Sequence, residues 1–429
     1  MFRTIIDAFK VKEIRNKILI TLLLLFIYRI GCWIPCVGFD TAAMFENSTG
    51  FGFFDLMNMV SGGALANCSV LALGVSPYIT ASIVIQLLTV AIPSLERLSK
   101  SGEDGRRKIN FYTRIAALVL ALAQAIGIVV AYSSSLDTNL LGGMPAWLVG
   151  CGVVLIMVAG AMFTVWLGER ITDLGIGNGT SMLIFVGILS SAGSSIAAII
   201  QQCTVDITYI WYLVIFIVSI IAIFALIVFI DGAERRVHVQ YAKQIKGRRM
   251  YGGQSNYIPI KVNATGVMPI IFASALLTFP QMIISIFWPN VTWYSNWLGT
   301  NSWLYIVLTA LLILVFSFFY SKISFDPDDI AKRIQQQGGT IPGIRAGKLT
   351  SEYLAKISKR ITLFGAIFLA IIALIPSLAF KAIGDNSGAS VLINAFSTTG
   401  LMIVVSVALE FEKQLSAQMF VRNHKGFLS

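Results

Sequence analysis

Charge is scarce in this chain. Only 12% of its 429 residues are Asp, Glu, Lys or Arg, and histidine occurs twice. An average soluble domain carries about 25% charged residues. Here 56% of the chain is hydrophobic and the mean hydropathy is +0.80, which excludes an ordinary water-soluble domain. Carboxylates are missing where ion coupling would need them. No Asp, Glu or His lies at the centre of an apolar run: Glu169, Asp231 and Glu410 stand at run ends, and His238 and His424 lie in basic segments. Proton or Na⁺ coupling needs a titratable or anionic ligand at mid-membrane depth, so an ion-coupled small-solute secondary transporter is the disfavoured alternative. Catalytic signatures are missing as well: there is no HExxH, no GxSxG and no P-loop. GERITDLGIGNG (168–179) has the glycines of a phosphate loop but lacks the following Lys and the preceding strand. DPDD (326–329) precedes IAKRI and reads as an Asp-rich helix N-terminus rather than a cation site. Cysteine is sparse, five in all with no CxxC spacing, and reads as small buried hydrophobes. A Cys32–Cys36 bridge is allowed but not demanded. The expectation is a non-enzyme without metal or cofactor.

What the chain has instead is long apolar runs. A hydrocarbon core of about 30 Å needs about 20 apolar residues in a helix. Ten such runs occur, at 17–35, 69–92, 114–132, 147–168, 181–200, 210–230, 265–286, 303–320, 361–382 and 389–410. They are continuous rather than alternating, which argues against a β-barrel. An even number puts both termini on one side. The basic residues fall at the N-terminus and between runs two and three, six and seven, and eight and nine, whereas the opposite loops hold Asp40, Glu46, Asp55, Asp137, Asp206 and Asp385 with Lys381 as the single base. That asymmetry places both termini in the cytoplasm and accounts for the net charge of +11 without nucleic acid. The start, MFRTIIDAFKVKEIRNK, leads into a run with no small-residue cleavage site, so no cleaved signal peptide is expected. Trp147, Trp211, Trp288, Trp293, Trp297 and Trp303 fall near outer run ends as interfacial anchors.

Five runs in each half, 1–200 and 201–429, require any repeat to be inverted in the membrane, a common transporter plan. Two cytoplasmic loops, 231–262 and 321–360, are long, basic and contain helix formers; loops of this length favour a docking surface for an acidic partner. One charge sits deep in a run, Arg29 of FIYRIG, and reads as a side chain reaching an interface or a structural partner. The segment GFFDLMNMVSGGALANC (52–68) is apolar, too short to span, and broken by Gly62-Gly63.

That segment begins the stretch FGFFDLMNMVSGGALANCSVLALGVSPYITASIVIQLLTVAIPSLERL (51–98), which resembles the plug and second membrane helix of the SecY family of protein-conducting channels. YRIGCWIPCVGFD (28–40), SGEDGRRKINFYTR (101–114), WLGERITDLGIGNGTSMLIF (166–185), ERRVHVQYAKQIKGRRMYGGQSNYIPIKVNATGVMPIIFAS (234–274) and GGTIPGIRAGKLTSEYL (338–354) are similar to the same family, in the same order. The resemblance implies an all-α polytopic membrane protein: ten helices in two pseudo-symmetric inverted halves around an hourglass pore. It implies a re-entrant plug at 52–67 with Phe53, Phe54, Leu56, Met57, Met59 and Val60 packing inward and Gly62 and Gly63 as a hinge. Its pore ring falls on Val75, Ile79, Ile184, Ile271 and Ile403, and on Thr180 where an apolar residue is usual. A lateral gate falls on Thr80, Ile83 and Gln86 facing Phe279, with Gln86 in need of a hydrogen-bond partner. Arg248, Arg249 and Arg345 match arginines that dock cytoplasmic partners. The implied function is passage of unfolded secretory polypeptides across the bacterial cytoplasmic membrane and lateral release of transmembrane helices into membrane lipid. The implied partners are the small SecE and SecG subunits, the SecA ATPase, the ribosome, and a secretory chain bearing a signal sequence.

Overall fold

The computed structural model describes residues 9–38, 58, 61–132, 145–203, 208–241, 244–246, 249–251, 255–263, 266, 268–287, 302–383 and 398–425. Each of the ten expected runs falls on a helix among these residues. The chain divides into two compact units, one of Met1–Leu213, Ala275–Gly299 and Ser387–Ser429, the other of Val214–Ser274 and Thr300–Asn386.

The first unit holds α1 (Lys12–Gly31), α2 (Ser76–Ala91), α3 (Pro93–Lys100), α4 (Glu103–Ala131), α5 (Ala146–Leu174), α6 (Gly179–Cys203) and α12 (Thr398–Lys425), together with the start of α7 (Thr208–Gly232). The second expected run, 69–92, becomes helical only at Ser76, and α2 and α3 meet at a 107° bend. Pro93 causes the bend. It has no N–H for the α2 ladder and pushes the preceding residue out of the helical region; Ile92 is extended, φ −108° and ψ 114°. Helix α4 starts at Glu103, inside the basic segment, because helical hydrogen bonding continues into water where hydropathy no longer marks it. The core of this unit includes Leu73, Ala121, Ala125, Ile128, Val153, Met157 and Ala161. Small residues let the backbones approach: a Cβ on Gly160 would strike the Val70 carbonyl oxygen.

The second unit contains the end of α7, strands β1 (Glu234–Tyr241), β2 (Gln244–Lys246), β3 (Arg249–Tyr251), β4 (Ser255–Lys261) and β5 (Gly339–Thr340), and helices α9 (Trp303–Ser324), α10 (Pro327–Gln336) and α11 (Lys348–Ile383). Helix α8 (Met268–Phe287) begins in this unit and ends in the other. The 231–262 loop, basic and containing helix formers, is not helical over its described residues beyond the end of α7. Its described residues form strands, with antiparallel order β4-β1-β5 and Val237 opposite Ile258. The reason is period-2 patterning: Val237 and Val239 are buried between exposed Arg236, His238 and Gln240, and join Ile260, Ile334, Ile341 and Leu354 in one cluster. On the wet face Glu234 accepts from Arg236 at 2.7 Å, which raises the guanidinium pKa further, and the Tyr257 ring lies 4.8 Å from that guanidinium. Helices α9 and α11 are joined by a buried hydroxyl pair, Ser321 with Thr362 at 2.6 Å.

The DPDD segment does start a helix. Asp326 is the N-cap of α10, accepting from the Asp328 and Asp329 amides at 3.0 and 3.5 Å, with Pro327 in the first turn. Asp326→Ala should cost about 1 kcal/mol while Asp326→Asn, which keeps the acceptor, costs a few tenths at most; thermal unfolding in detergent reads the difference.

Four helices among the described residues are both long and apolar enough to cross a bilayer, and a fifth if α2 and α3 count as one broken span. Helix α1 misses that test because Arg15, Lys17 and Arg29 share its length. Trp147 and Trp303 are 69% and 63% exposed at the first turns of α5 and α9, where interfacial anchors belong. Cys32, Cys36 and Cys68 are buried and Cys151 is exposed, and Cys32 and Cys36 are not bridged.

Candidate functional site

The site grows from the chain that leads into α2. Phe53, Phe54, Leu56, Met57, Met59 and Val60 lie outside the described residues; Asn58 and the chain from Ser61 onward lie within them. Asn58 closes a small loop on itself. Its carbonyl accepts from the Gly63 amide at 2.8 Å and from the Ser61 hydroxyl at 3.1 Å, and its side-chain oxygen accepts from the Ala66 amide at 2.9 Å. Gly62 and Gly63 have φ of +70° and +86°, backbone that glycine adopts without a Cβ penalty.

This turn is gripped from two sides. From α1, Arg29 Nη1 donates to the Gly62 carbonyl at 2.7 Å, and the buried Tyr28 hydroxyl and Cys32 thiol approach the Ser61 carbonyl at 3.5 and 3.8 Å. From α6, Gly187 lies so close that a Cβ on Gly62 would sit 2.8 Å from its Cα. The deep charge thus has a structural partner. That the partner is a main-chain carbonyl on a distant turn has no mark in the sequence. Nor has Gly187.

The expected ring positions spread over several elements. Val75 is the N-cap of α2 and is 2% exposed; Ile79 is half-buried one turn on. On α6, Ile184 is buried and Thr180 half-buried. Thr180 spends its hydroxyl locally, donating to Asn178 Oδ1 at 2.7 Å, while its amide donates to the same oxygen at 3.1 Å. This gives a reason for Thr where the resemblance expects an apolar side chain: the residue completes the cap of α6. Ile403 on α12 is buried. Ile271 on α8 is half-buried and belongs to the other unit.

Of the gate positions, Ile83 is buried and Thr80 donates to the Ser76 carbonyl at 3.1 Å. Gln86 finds a partner one turn back on its own helix, Ser82 Oγ at 3.2 Å. The Phe279 side chain lies outside the described residues. Arg345 is exposed, in a hollow lined also by Leu349, Glu352, Tyr353 and Lys356. Arg249 opposes Lys246 in the β2–β3 hairpin, and Arg248 lies outside the described residues. Sequence reasoning missed the ion pair of Arg114 on α4 with Glu169 on α5, 2.7 Å apart. Its only signal was opposite charge at two run ends. Among the described residues no three His, Cys, Asp or Glu converge in a way that would hold a metal.

Long apolar helices packed around a glycine turn define a polytopic helical membrane protein. Solved structures agree on the fold. One described as the structure of a protein-conducting channel has TM-score 0.67 at 19% identity, covering 95% of this chain and 93% of that one. Sec61 in a canine ribosome–channel complex from the endoplasmic reticulum gives 0.63 at 17% identity, covering 95% and 93%. The family model described as SecY matches residues 69–412. The chain is 42% identical over 436 residues to the protein translocase subunit SecY of Streptomyces galbus, covering 98% of each. It is 39% identical to that of Thermus thermophilus, covering 100% of this chain and 98% of the relative, and 38% identical to that of Bacillus subtilis, covering 100% of each. The chain belongs to the SecY family, and is a multi-pass membrane protein.

Proposed function

We propose that this chain is the pore subunit of a protein translocase in a bacterial cytoplasmic membrane. It passes unfolded secretory polypeptides and releases transmembrane helices sideways into lipid. The observation that carries the reading is the Ser61–Gly63 turn, held by α1 and α6 directly before α2. A plug must be anchored at the wall it closes against, and the chain after the apolar 52–60 segment is so anchored.

The two halves, 1–200 and 201–429, form the walls. Val75, Ile79, Thr180, Ile184, Ile271 and Ile403 form the constriction, whose apolar side chains exclude water at rest and whose lack of a specific binding group suits varied cargo. Thr80, Ile83, Gln86 and Phe279 line the lateral gate. A signal helix leaves through it because its apolar surface gains roughly 25 cal/mol per Å² on reaching lipid. The termini and the 231–262 and 321–360 segments face the cytoplasm, where Arg248, Arg249 and Arg345 dock the SecA ATPase or the ribosome. SecE and SecG complete the complex. Energy comes from those partners, and the chain itself catalyses nothing. An ion-coupled solute transporter finds no support in the relatives' names and has no mid-span carboxylate in the sequence to couple an ion.

Site-specific photocrosslinking tests the pore axis. With a secretory chain stalled in transit, probes at Ile79 and at Ile271 should both crosslink to it. Absence of crosslinks from both sites, in a complex verified as engaged, would overturn the reading.

A further inference from the structure

We infer that Arg29 is the latch that holds the plug closed, resting on the plug reading above. Arg29 is the one charge deep in α1, half-buried, and no described carboxylate pairs with it. A guanidinium within a membrane helix is costly unless it is hydrogen-bonded or reaches water. Here it donates to a main-chain oxygen, the Gly62 carbonyl, at 2.7 Å. That carbonyl belongs to a turn in left-handed backbone, φ +70°, carried by a segment that must leave when the pore opens.

The physics makes the bond conditional. In a dry, low-dielectric wall a charge-assisted hydrogen bond is strong, and breaking it strands both partners. Once water enters, both groups are solvated and the bond loses most of its value. The latch is therefore firm while the vestibule is dry and weak once it is wet, so closure and opening each reinforce themselves. The neighbouring contacts cannot do this. Tyr28 and Cys32 meet the Ser61 carbonyl at 3.5 and 3.8 Å, and neither carries a fixed charge. Gly187 supplies shape only, by admitting the Gly62 backbone.

Cys32 reports the latch. It is 1% exposed beneath the Ser61 carbonyl, so departure of the turn uncovers it. The test uses the full chain with its small partner subunits in lipid, comparing wild type, Arg29→Gln, Arg29→Lys and a deletion of 54–66. Resting ion conductance is measured, along with maleimide labelling of Cys32 in a background where the other four cysteines are Ser. Export of a precursor with a weakened signal sequence is measured as a third readout. Arg29→Gln should raise conductance and Cys32 labelling on the order of tenfold and should increase export of the weak precursor, with Arg29→Lys in between. A merely structural role has the opposite sign, since misfolding lowers export. Wild-type conductance and labelling in Arg29→Gln, while the deletion leaks, would overturn the latch and leave the plug standing. If the deletion does not leak either, the plug reading fails and the latch with it. Should Arg29→Gln not accumulate, Arg29→Lys decides: labelling at the wild-type rate overturns the proposal, and faster labelling supports it.

Discussion

Gly179→Val should sharply lower the yield of folded protein in the membrane. The corner between α5 and α6 packs backbone on backbone. A Cβ on Gly179 would run into the Gly168 carbonyl oxygen and come within 2.8 Å of both the Gly168 carbonyl carbon and Ile171 Cβ. The Gly179 amide donates to Thr172 Oγ1 at 2.9 Å, and that hydroxyl donates in turn to the Gly168 carbonyl at 2.9 Å, so the obstructing oxygen is itself held. No flexible side chain is available to yield. The cost should be about 3 kcal/mol or more, a large part of the 5–15 kcal/mol that typically separates native from unfolded. It also reaches the proposed pore, because α6 starts here and carries Thr180 and Ile184. Gly193, later on the same helix, has open space where a Cβ would go, so Gly193→Ala should gain roughly 0.5–1 kcal/mol. Size-exclusion profiles of the detergent-extracted complex check both. A Gly179→Val protein that elutes like wild type would show that the corner can spread.

Why the membrane helices were legible and the grip on the Ser61–Gly63 turn was not follows from what each depends on. A span is a one-dimensional property: about 20 residues must be apolar whatever surrounds them, so the run at 147–168 announces α5 by itself. The cap at Asp326 is equally local, since acceptor and donors lie within three residues. The Arg29–Gly62 bond joins residues 33 positions apart, and its acceptor is a main-chain carbonyl, which every residue has. No sequence pattern distinguishes that carbonyl. The 231–262 loop was missed for another reason. Its basic, polar composition marks a solvated docking loop, and the alternation around Val237 and Val239 spans too few residues to announce strands. The ring and docking positions came from family resemblance, because a pore-facing Ile and a core Ile have the same pattern.

Reversing charge at Arg248 and Arg345 together should cut partner-driven translocation on the order of tenfold to a hundredfold with the thermal midpoint unchanged. The two effects separate because of how Arg345 is mounted. Its carbonyl accepts from Thr350 Oγ1 at 2.9 Å, and the Ile344 amide returns to the Ile341 carbonyl at 3.0 Å. The backbone is thereby fixed through atoms that any side chain at 345 leaves in place. The guanidinium is exposed, and substitutions at such surface positions stay within about 0.5 kcal/mol. Salt dependence then tells the partners apart. Each lost RNA phosphate contact lowers the slope of log affinity against log salt by about 1, so ribosome binding should lose close to two units in the double variant. A protein partner such as the ATPase should show mainly a slower association rate. Arg345→Lys sharpens the distinction: it keeps the charge but loses the planar fork, so it should fall short at a bidentate phosphate site and nearly match wild type where only net charge steers the encounter. If translocation and salt slope both stay at wild-type values in the double variant, Arg248 and Arg345 are charges that merely obey the topology rule, and docking must be sought elsewhere on the basic segments.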